Sequence, residues 1–307
     1  MPIIIPKDIP AFSTLQKENI FVMTQARAIG QDIRPIEIAV LNLMPTKIET
    51  ETQLIRLLSN SPLQVNITLI NTSTYQSKNV SATHLKRFYK SFADIKNLSF
   101  DGMIITGAPV ETLEFSDVKY FKELEEIMDF ARRKVTSAMY ICWGAQAALY
   151  HFYGIGKHNL SEKKFGVFPH KKMAEFDPLL KGLDDWFNIP HSRHTYIKDG
   201  DIFSNDKLAV LAYSEKAGAS VIKSKDNKMI FITGHCEYDR DTLKKEYERD
   251  LGKGLPIKPP ENYFTDKKCE EVNFSWCSTG NIIFSNWLNY YVYQVTPFDI
   301  NKITNYE

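Results

Sequence analysis

One cysteine in the chain, Cys142, has neighbours that could make it a nucleophile. The apolar run Met139-Tyr-Ile141 before it is typical of a buried strand, and residues 145–150 after it favour a helix. A side chain at a sharp strand-to-helix turn is held clear of the sheet, beside the free N–H groups of the helix N-terminus. Because those groups stabilise an anion, a cysteine there should ionise more readily than a free one. The alternative is a small buried hydrophobe, the usual role of a free cysteine.

A histidine and a carboxylate follow a second predicted strand in the pattern that a cysteine nucleophile needs. The strand at 229–233 leads into Gly234, His235, Cys236 and Glu237. His235 could take the thiol proton, and Glu237 could hold the imidazole in one tautomer. Two simpler roles stay open: His235 as a helix cap, and Glu237 as a favourable charge at the start of the next helix. Cys236 should point away, into the packing of the sheet.

Strands and helices alternate through much of the chain, which predicts a doubly wound α/β fold with a mostly parallel sheet and helices on both faces. Lys47, Glu111 and Cys142 each follow a predicted strand. Ligands of such folds bind beyond the carboxyl ends of the strands, so these side chains should share one edge of the sheet. The predicted strands are 36–43, 65–70, 100–106, 139–141, 208–213, 219–223 and 229–233, and the predicted helices are 47–58, 82–95, 116–134, 145–150, 238–251 and 281–293.

The chain is predicted to be a single domain over residues 1–307, without internal repeats. Residues 1–34 look like an irregular N-terminal arm with three prolines, and residues 35–300 carry the α/β core. Residues 151–206 are less regular and rich in polar side chains. We therefore expect them to form a long excursion over the site.

Charge balance and cysteine spacing argue against several classes of protein. The 307 residues carry 38 Lys and Arg against 37 Asp and Glu, which argues against a nucleic-acid partner. No apolar run approaches the roughly 20 residues of a membrane span, so no membrane partner is expected. The four cysteines have no CxxC spacing, which favours a cytoplasmic protein with reduced thiols.

Neither a metal nor a tightly bound cofactor is expected. A metal would need His191 and His194 to converge with His235, Cys236 and a carboxylate, and neither spacing is that of a zinc site. The string Gly154-Ile-Gly156 lacks the third glycine and the preceding strand of a dinucleotide-binding loop.

With these residues in view, the chain resembles the homoserine acyltransferases of methionine biosynthesis that have the class I glutamine amidotransferase-like, or flavodoxin-like, fold. The resemblance runs essentially end to end and implies a nucleophile elbow at Cys142. It rests on six strings in the family's order: Asn42-Leu-Met-Pro-Thr-Lys-Ile-Glu-Thr-Glu51, Thr106-Gly-Ala-Pro-Val-Glu111, Tyr140-Ile-Cys-Trp-Gly-Ala-Gln146, Phe165-Gly-Val-Phe168, His191-Ser-Arg-His-Thr195 and Gly234-His-Cys-Glu-Tyr238.

The resemblance implies acyl transfer in two steps through a thioester. Cys142 would take the acyl group of an acyl-CoA and pass it to the hydroxyl of L-homoserine, with His235 as base and Glu237 supporting His235. The family holds the oxyanion with backbone N–H groups that fall here on Trp143 and Lys47.

The family's contacts to the amino-acid substrate fall on Lys163, Ser192 and Arg249. Arg249 could grip the homoserine carboxylate as a fork, and Ser192 and Lys163 offer short polar contacts. Without the resemblance, Lys163 and Arg249 would be interpreted as solvated surface charges.

Glu111 is the residue that the family uses to choose the acyl group. Members with glycine at this position have room for a succinyl carboxylate, and members with glutamate use acetyl-CoA. A glutamate that faces a succinyl carboxylate would repel it by a few kcal/mol at about 4 Å and an effective dielectric near 20. We therefore expect acetyl-CoA as co-substrate, with transfer of a succinyl group as the alternative.

Three other functions are weighed against acyl transfer to homoserine. A glutaminase of the same fold usually has glycine two places before the cysteine, where this chain has Tyr140, and no synthetase domain is attached. A cysteine-bearing binding or stress protein would give no role to His235 and Glu237. A serine-based acyltransferase using Ser192 would need an elbow, which its flanks do not resemble. The expected partners are small molecules, with a homodimer possible through the apolar C-terminal helix.

Overall fold

Twelve strands form one sheet in the part of the chain that the computed structural model describes, residues 3–18, 20, 22–25, 28, 34–74 and 80–303. The order across the sheet is β2-β1-β4-β3-β6-β7-β12-β11-β10-β8-β9, and β5 pairs with β4. Pairs from β2 to β12 and the β4–β5 pair are parallel, and the pairs beyond β12 are antiparallel. The strands are β1 (Ile3–Ile4), β2 (Val22–Met23), β3 (Ile36–Leu41), β4 (Val65–Asn71), β5 (Tyr89–Ser91), β6 (Phe100–Ile105), β7 (Val135–Ile141), β8 (Lys157–Lys172), β9 (Trp186–Ile197), β10 (Leu208–Ser214), β11 (Gly218–Ser224) and β12 (Met229–Ile232).

Helices connect most of the parallel strands. They are α1 (Pro10–Lys17), α2 (Lys47–Ser59), α3 (Ala82–Phe88), α4 (Phe92–Ile95), α5 (Phe121–Lys134), α6 (Trp143–Tyr153), α7 (Asp199–Phe203), α8 (Thr242–Gly252) and α9 (Cys277–Asn286). A π-helical segment, Trp287–Tyr293, continues directly from α9.

The side chains of β3 alternate between two cores, because successive residues of a strand point to opposite faces. Ile38 and Val40 join a buried cluster that includes α1, α2 and α9, whereas Ala39 and Leu41 join a second cluster that includes α5 and α6. The prediction of a mostly parallel sheet covered by helices on both faces is therefore confirmed. Seven predicted strands correspond to β3, β4, β6, β7, β10, β11 and β12.

Residues 151–206 are more regular than predicted, and the expectation of an irregular segment was wrong. β8 and β9 form a long antiparallel hairpin that extends the sheet beyond β10. In β9 the buried residues include the polar side chains of His191, Arg193 and Thr195, so the sequence does not show the period of two that burial follows. A register shift between Asn159 and Lys164 interrupts the pairing and further blurs that period.

The N-terminal residues are likewise structured where they are described, so an irregular arm is not found there. β1 pairs with both β2 and β4, and α1 packs its buried face into the first core. Their strands are two residues long, too short for a periodic pattern to reveal. Residues 1–2, 19, 21, 26–27 and 29–33 of this arm lie outside the described residues.

Two predicted helices are interrupted or shortened by tertiary contacts. The helix expected over 82–95 breaks at Tyr89, which is extended and pairs with Leu69 of the sheet. The helix expected from residue 116 begins at Phe121, because Phe115 lies in a separate 3-10 turn and stacks on Phe121 with ring centroids 5.1 Å apart. Local propensity favoured a longer helix in both places, and packing overrode it.

Among the described residues, none of the helices is both long enough and apolar enough to cross a lipid bilayer.

Candidate active site

The loops that follow β3, β6, β7 and β12 meet at one edge of the sheet, since these strands are parallel neighbours. A Cβ atom placed on Gly107, after β6, would lie 3.2 Å from the Cβ of Cys142 and 3.6 Å from Cε1 of His235. With α8 and the β8–β9 hairpin these loops border a cavity of about 450 Å³. Glu111, Cys142 and His235 all line it, as expected from their places after strands.

Cys142 occupies the tight turn between β7 and α6. Its backbone has φ 51° and ψ −116°, a left-handed conformation that residues other than glycine seldom adopt. The turn is held from both sides: the N–H of Cys142 donates to Ile232 of β12 at 2.7 Å, and its carbonyl accepts from the N–H of Gln146 at 3.1 Å. The side chain is largely buried but borders the cavity.

Gly144 allows α6 to start close against the end of β6. A Cβ atom at this position would lie 2.7 Å from the carbonyl oxygen of Thr106 and 2.9 Å from that of Ile105. Real Cβ atoms do not approach backbone so closely, so only glycine fits without moving the helix. The helix start therefore has a fixed place relative to the strand edge, and Cys142 has one too.

His235 and Glu237 form a tight buried pair beside Cys142. Nδ1 of His235 lies 2.6 Å from Oε1 of Glu237, and the two side chains are 3% and 5% exposed. Cys142 and His235 both line the cavity, and the negative charge of the Cys142 thiolate acts on the His235 imidazole. Since Glu237 accepts from Nδ1–H, Nε2 is the ring atom left for the thiol.

The charges around His235 favour its protonated form. Burial by itself would lower the pKa of His235, but the Cys142 thiolate and the Glu237 carboxylate outweigh it and raise this pKa well above its ordinary range. The simpler roles for the two residues find no support, because Glu237 bonds the imidazole and α8 begins only at Thr242.

Trp143 is the first residue of α6, so its N–H is one of the helix N–H groups without an acceptor inside the helix. Lys47 has the equivalent position in α2, but it does not line the cavity. The residues just before it, Met44, Pro45 and Thr46, do line the cavity.

The side chain of Lys47 is turned inward, toward the loop that it follows. Its ammonium group donates to the carbonyl oxygen of Asn42. Burial lowers the pKa of Lys47 to about 8, although the carboxylate of Glu51 opposes the shift. Asn42 in turn donates from Nδ2 to the carbonyl of Lys47 at 3.2 Å and accepts from the N–H of Met44 at 3.1 Å. These bonds fix the shape of the loop that borders the cavity.

A carboxylate on α8, Glu246, lies at the centre of a polar cluster in the cavity. Nζ of Lys163 donates to its Oε1 at 2.6 Å, and Oγ of Ser192 donates to the same oxygen at 2.7 Å. Lys163 comes from β8 and Ser192 from β9, so the hairpin brings both predicted residues to the cavity. Glu246 was missed, because the predicted helix carries several acidic residues and no sequence pattern distinguishes the one that faces the cavity.

Arg249 borders the same cavity from one helical turn further along α8. Its side chain is half exposed, its Nε donates to Oδ1 of Asp250 at 2.7 Å, and its Nη2 lies 3.7 Å from Oε1 of Glu246. A guanidinium has five N–H donors, so Arg249 can make these contacts and also bind a carboxylate.

Glu111 is held against β9 in the loop that follows β6. Its Oε2 accepts from the N–H of His194 at 2.8 Å and lies 3.5 Å from the hydroxyl of Thr195. That hydroxyl donates to Oε1 of Gln146 on α6 at 2.9 Å. The carboxylate therefore has a defined position in the cavity that contains Cys142.

Of the other cysteine and histidine candidates, Cys236 and His191 pack in the interior and His194 does not. Cys236 is buried in the first core, as predicted, and burial raises the pKa of its thiol. His191 is fully buried with its ring stacked on His170, whereas His194 is exposed at the cavity. In the part of the chain that the structure describes, no three or more potential metal ligands lie together in a cluster.

Solved structures of low sequence identity share the fold. A glutamine amidotransferase from Thermotoga maritima superposes with a TM-score of 0.57 at 10% identity, over 83% of this chain and 98% of that one. One from Methylobacillus flagellatus gives a TM-score of 0.52 at 12% identity, over 84% and 95%. The sheet and its helices thus have the glutamine amidotransferase-like arrangement.

Sequence relatives are much closer. "Homoserine O-acetyltransferase 1" of Ilyobacter polytropus is 56% identical over 97% of this chain and 99% of its own. "Homoserine O-acetyltransferase" of Acetivibrio thermocellus is 54% identical over 99% and 100%, and that of Clostridium acetobutylicum 55% over 98% and 100%. The family model described as homoserine O-succinyltransferase matches residues 2–298. The chain therefore belongs to the homoserine O-succinyltransferase family.

Proposed function

We propose that this protein is a homoserine O-acetyltransferase that works through a nucleophile elbow at Cys142. The observation that carries the proposal is the placement of Cys142 beside the hydrogen-bonded pair of His235 and Glu237, at a cavity large enough for a small substrate. The names of relatives at 54–56% identity support acetyl-CoA as donor and homoserine as acceptor. The product, O-acetyl-L-homoserine, would serve methionine biosynthesis.

The first half-reaction loads the enzyme. The Cys142 thiolate attacks the carbonyl carbon of the acetyl thioester, while His235 holds the proton that the thiol gave up. For the oxyanion we propose the backbone N–H groups of Trp143 and Lys47, each of which directly follows a residue that lines the cavity, Cys142 and Thr46. Such a contact is worth about 10²–10³ in rate. When the carbon–sulfur bond of acetyl-CoA breaks, His235 protonates the leaving CoA thiolate. The enzyme then carries an acetyl thioester on Cys142.

The second half-reaction transfers the acetyl group. Neutral His235 takes the proton of the homoserine hydroxyl as its oxygen attacks the thioester, and the thiolate of Cys142 leaves. Glu237 holds the imidazole so that Nε2 faces the reacting atoms.

We propose that the polar cluster on α8 holds the amino-acid end of homoserine. A carboxylate in the cavity, Glu246, is the complement of an ammonium group, and Arg249 is the complement of a carboxylate. Lys163 and Ser192, which now bond Glu246, would keep that carboxylate in place or turn to the substrate.

We further propose that Glu111 selects acetyl over succinyl. Its carboxylate has fixed hydrogen-bond donors in the cavity, and a second carboxylate brought near it would be repelled. No tightly bound cofactor takes part in this scheme.

The test is intact-mass spectrometry after mixing with acetyl-CoA, followed by steady-state assays with L-homoserine. We expect the mass to rise by one acetyl group, the added group to map to Cys142, and homoserine to remove it. Cys142→Ser should gain no acetyl group in the time that the wild-type protein needs to form its thioester.

Two outcomes would contradict the proposal. If neither acetyl-CoA nor succinyl-CoA changes the mass, the thioester is excluded and a glutaminase is favoured. A glutamine hydrolysis assay would then detect the glutaminase activity. Transfer of succinyl in preference to acetyl would keep the thioester mechanism and reject the role of Glu111.

We also propose one acyltransferase domain in the cytoplasm. The strands of the described residues form one continuous sheet, and the loops and helices that carry the site residues adjoin it. The four cysteines are unpaired, which suits a reducing compartment. A homodimer stays a prediction, and light scattering would test it. The apolar face of α9 is buried in the first core, so a dimer would use another surface.

A further inference from the structure

The ring of Tyr238 lies flat against the imidazole of His235. The two ring centroids are 4.0 Å apart and their planes differ by 14°. Both side chains are nearly fully buried, and Tyr238 also borders the cavity that contains Cys142. The proposed catalytic scheme gives Tyr238 no task, so this stacking needs its own explanation.

Tyr238 is anchored from behind by a small third core. Its carbonyl accepts from the indole N–H of Trp276 at 2.8 Å, and Trp276 is fully buried. The same cluster contains Leu243 of α8 and Phe165 of β8, so it ties Tyr238 to the two elements that carry Glu246 and Lys163. The tyrosine ring is therefore a rigid surface rather than a mobile cover.

Two features define the orientation of an imidazole ring: the direction in which its edge, with the ring nitrogens, points, and the tilt of its plane. Glu237 fixes the edge through Nδ1 at 2.6 Å. A parallel ring at van der Waals distance fixes the plane. An electron-rich phenol face also attracts a cation, so it stabilises the imidazolium form of His235 over the neutral form.

We propose that Tyr238 is a positioning residue that sets the plane of the His235 ring and stabilises its imidazolium through ring stacking. The expected effect of Tyr238 on the rate rests on the proposed acyl transfer and deepens it. The expected effect of Tyr238 on the pKa of His235 does not depend on that proposal.

The titratable groups that face His235 come from three elements. Cys142 lies on the β7–α6 turn, Glu237 and Tyr238 on its own segment, and His191 on β9. Burial and the nearby Arg193 keep His191 neutral by lowering its pKa well below the ordinary range. Burial raises the pKa of Tyr238 well above 10, and the negative charges of Glu246, Glu237, Cys142 and Glu111 add to the shift, so the phenol stays neutral.

The direct test is an NMR titration of His235 in protein labelled with ¹³C at histidine Cε1. A Cys142→Ser background removes the thiolate, so burial still opposes the charge on His235 while Glu237 and Tyr238 are the groups left to stabilise it. We expect Tyr238→Leu to lower the pKa of His235 by about half a unit or more, and Tyr238→Phe to keep it close to the parent value. Equal values in the Leu variant and the parent would overturn the proposal, and so would an equal fall in both variants, which would implicate the hydroxyl.

A shape-matched variant keeps the test decisive if Tyr238→Leu does not fold. Tyr238 can be replaced by para-cyanophenylalanine, whose ring has a similar shape but an electron-poor face. The pKa of His235 should fall relative to Tyr238→Phe, because the attraction between ring and cation is weakened. No difference between these two aromatic variants would reject the electrostatic part of the proposal.

The kinetic consequence is measured in protein that retains Cys142. Tyr238→Leu should lower kcat/KM for homoserine by about tenfold or more and move the acid limb of its pH profile to lower pH, since the base loses its proton earlier. Tyr238→Phe should lower kcat/KM for homoserine less than Tyr238→Leu does. If the wild-type protein transfers no acyl group, the proposed function fails, while the NMR titration still decides the role of Tyr238.

Discussion

At the scale of single residues, the cavity combines two kinds of charge arrangement. Cys142, His235 and Glu237 are arranged so that a proton can move between thiol and imidazole. Glu246 and Glu111 are carboxylates that the neighbouring strands hold in place with hydrogen-bond donors. The first arrangement is general to cysteine nucleophiles, and the second should determine which substrates are used.

Replacing Glu111 should change the choice of acyl donor. We expect Glu111→Gly to raise kcat/KM for succinyl-CoA relative to acetyl-CoA, because it removes both a like charge worth about 4 kcal/mol at 4 Å and the bulk of the side chain. Glu111→Gln is the matched control, since it keeps the size and removes the charge. Steady-state assays with both donors measure the ratio. A ratio that stays at the wild-type value in Glu111→Gly would remove Glu111 from donor selection.

Replacing Glu246 should weaken acceptor binding with little effect on enzyme loading. We expect Glu246→Gln to raise KM for homoserine by about tenfold or more, as the loss of a charged hydrogen bond costs about 1.5–3 kcal/mol. The amount of acetyl group loaded onto Cys142, read by mass spectrometry, should not change. Glu248→Gln, an exposed position on the same helix, is the control. An unchanged KM would separate Glu246 from the acceptor.

At the scale of elements, the position of Cys142 depends on how closely α6 approaches β6. The left-handed backbone of Cys142 is a conformation that costs about 1–3 kcal/mol and persists only when its surroundings enforce it. Gly144 permits the close approach, and the bond from the N–H of Cys142 to Ile232 ties the turn to β12. The turn is thus maintained by three neighbouring strands.

Adding one methyl group at this contact should displace the turn. We expect Gly144→Ala to lower the free energy of unfolding by about 1–3 kcal/mol, because its Cβ would overlap the carbonyl oxygens of Thr106 and Ile105. The rate of Cys142 alkylation should fall as well. Gly156→Ala is the control, since a Cβ there meets nothing within 4 Å. Urea unfolding and iodoacetamide labelling measure the two effects, and equal stability of both variants would contradict the packing argument.

At the scale of the whole molecule, the long β8–β9 hairpin joins the antiparallel part of the sheet to the cavity. It supplies Lys163 and Ser192 at the cavity, and His170 and His191 pack as a stacked pair where it meets the rest of the sheet. Nδ1 of His170 lies 2.8 Å from the carbonyl of Phe168, and its Nε2 lies 2.8 Å from the hydroxyl of Ser220 on β11. Burial lowers the pKa of His170 to about 4.

Acid should therefore destabilise the fold in a defined window. The unfolded chain binds protons on such histidines near pH 6.5, while folded His170 binds one only near pH 4, so unfolding takes up protons between these values. His170 should lower the free energy of unfolding by about 3 kcal/mol as pH drops through this window. His170→Asn should give a shallower dependence of unfolding free energy on pH than the wild type. Urea unfolding at several pH values measures the slope, and equal slopes in the wild type and His170→Asn would refute the explanation.

The parallel half of the sheet and the residues at its edge could be predicted from the sequence. Apolar residues recur at regular spacing in strands and in the helices that follow them, so β3, β6, β7 and β12 could be predicted. A residue directly after such a strand must lie at the carboxyl edge of the sheet. Cys142, Glu111 and His235 were located for that reason. The family resemblance added Lys163, Ser192 and Arg249, which periodicity alone would have left as surface charges.

Which charged and aromatic side chains face the cavity depends on tertiary contacts that the sequence pattern does not show. Glu246 and Tyr238 lie in a stretch with many polar residues, and their places depend on where α8 starts and on contacts with β8, β9 and the third core. The same holds for Lys47, whose side chain turns to Asn42 rather than to the cavity. Local sequence sets the propensity of each segment, but the direction of a side chain at the end of an element is set by partners distant in the chain, which pattern and propensity do not encode.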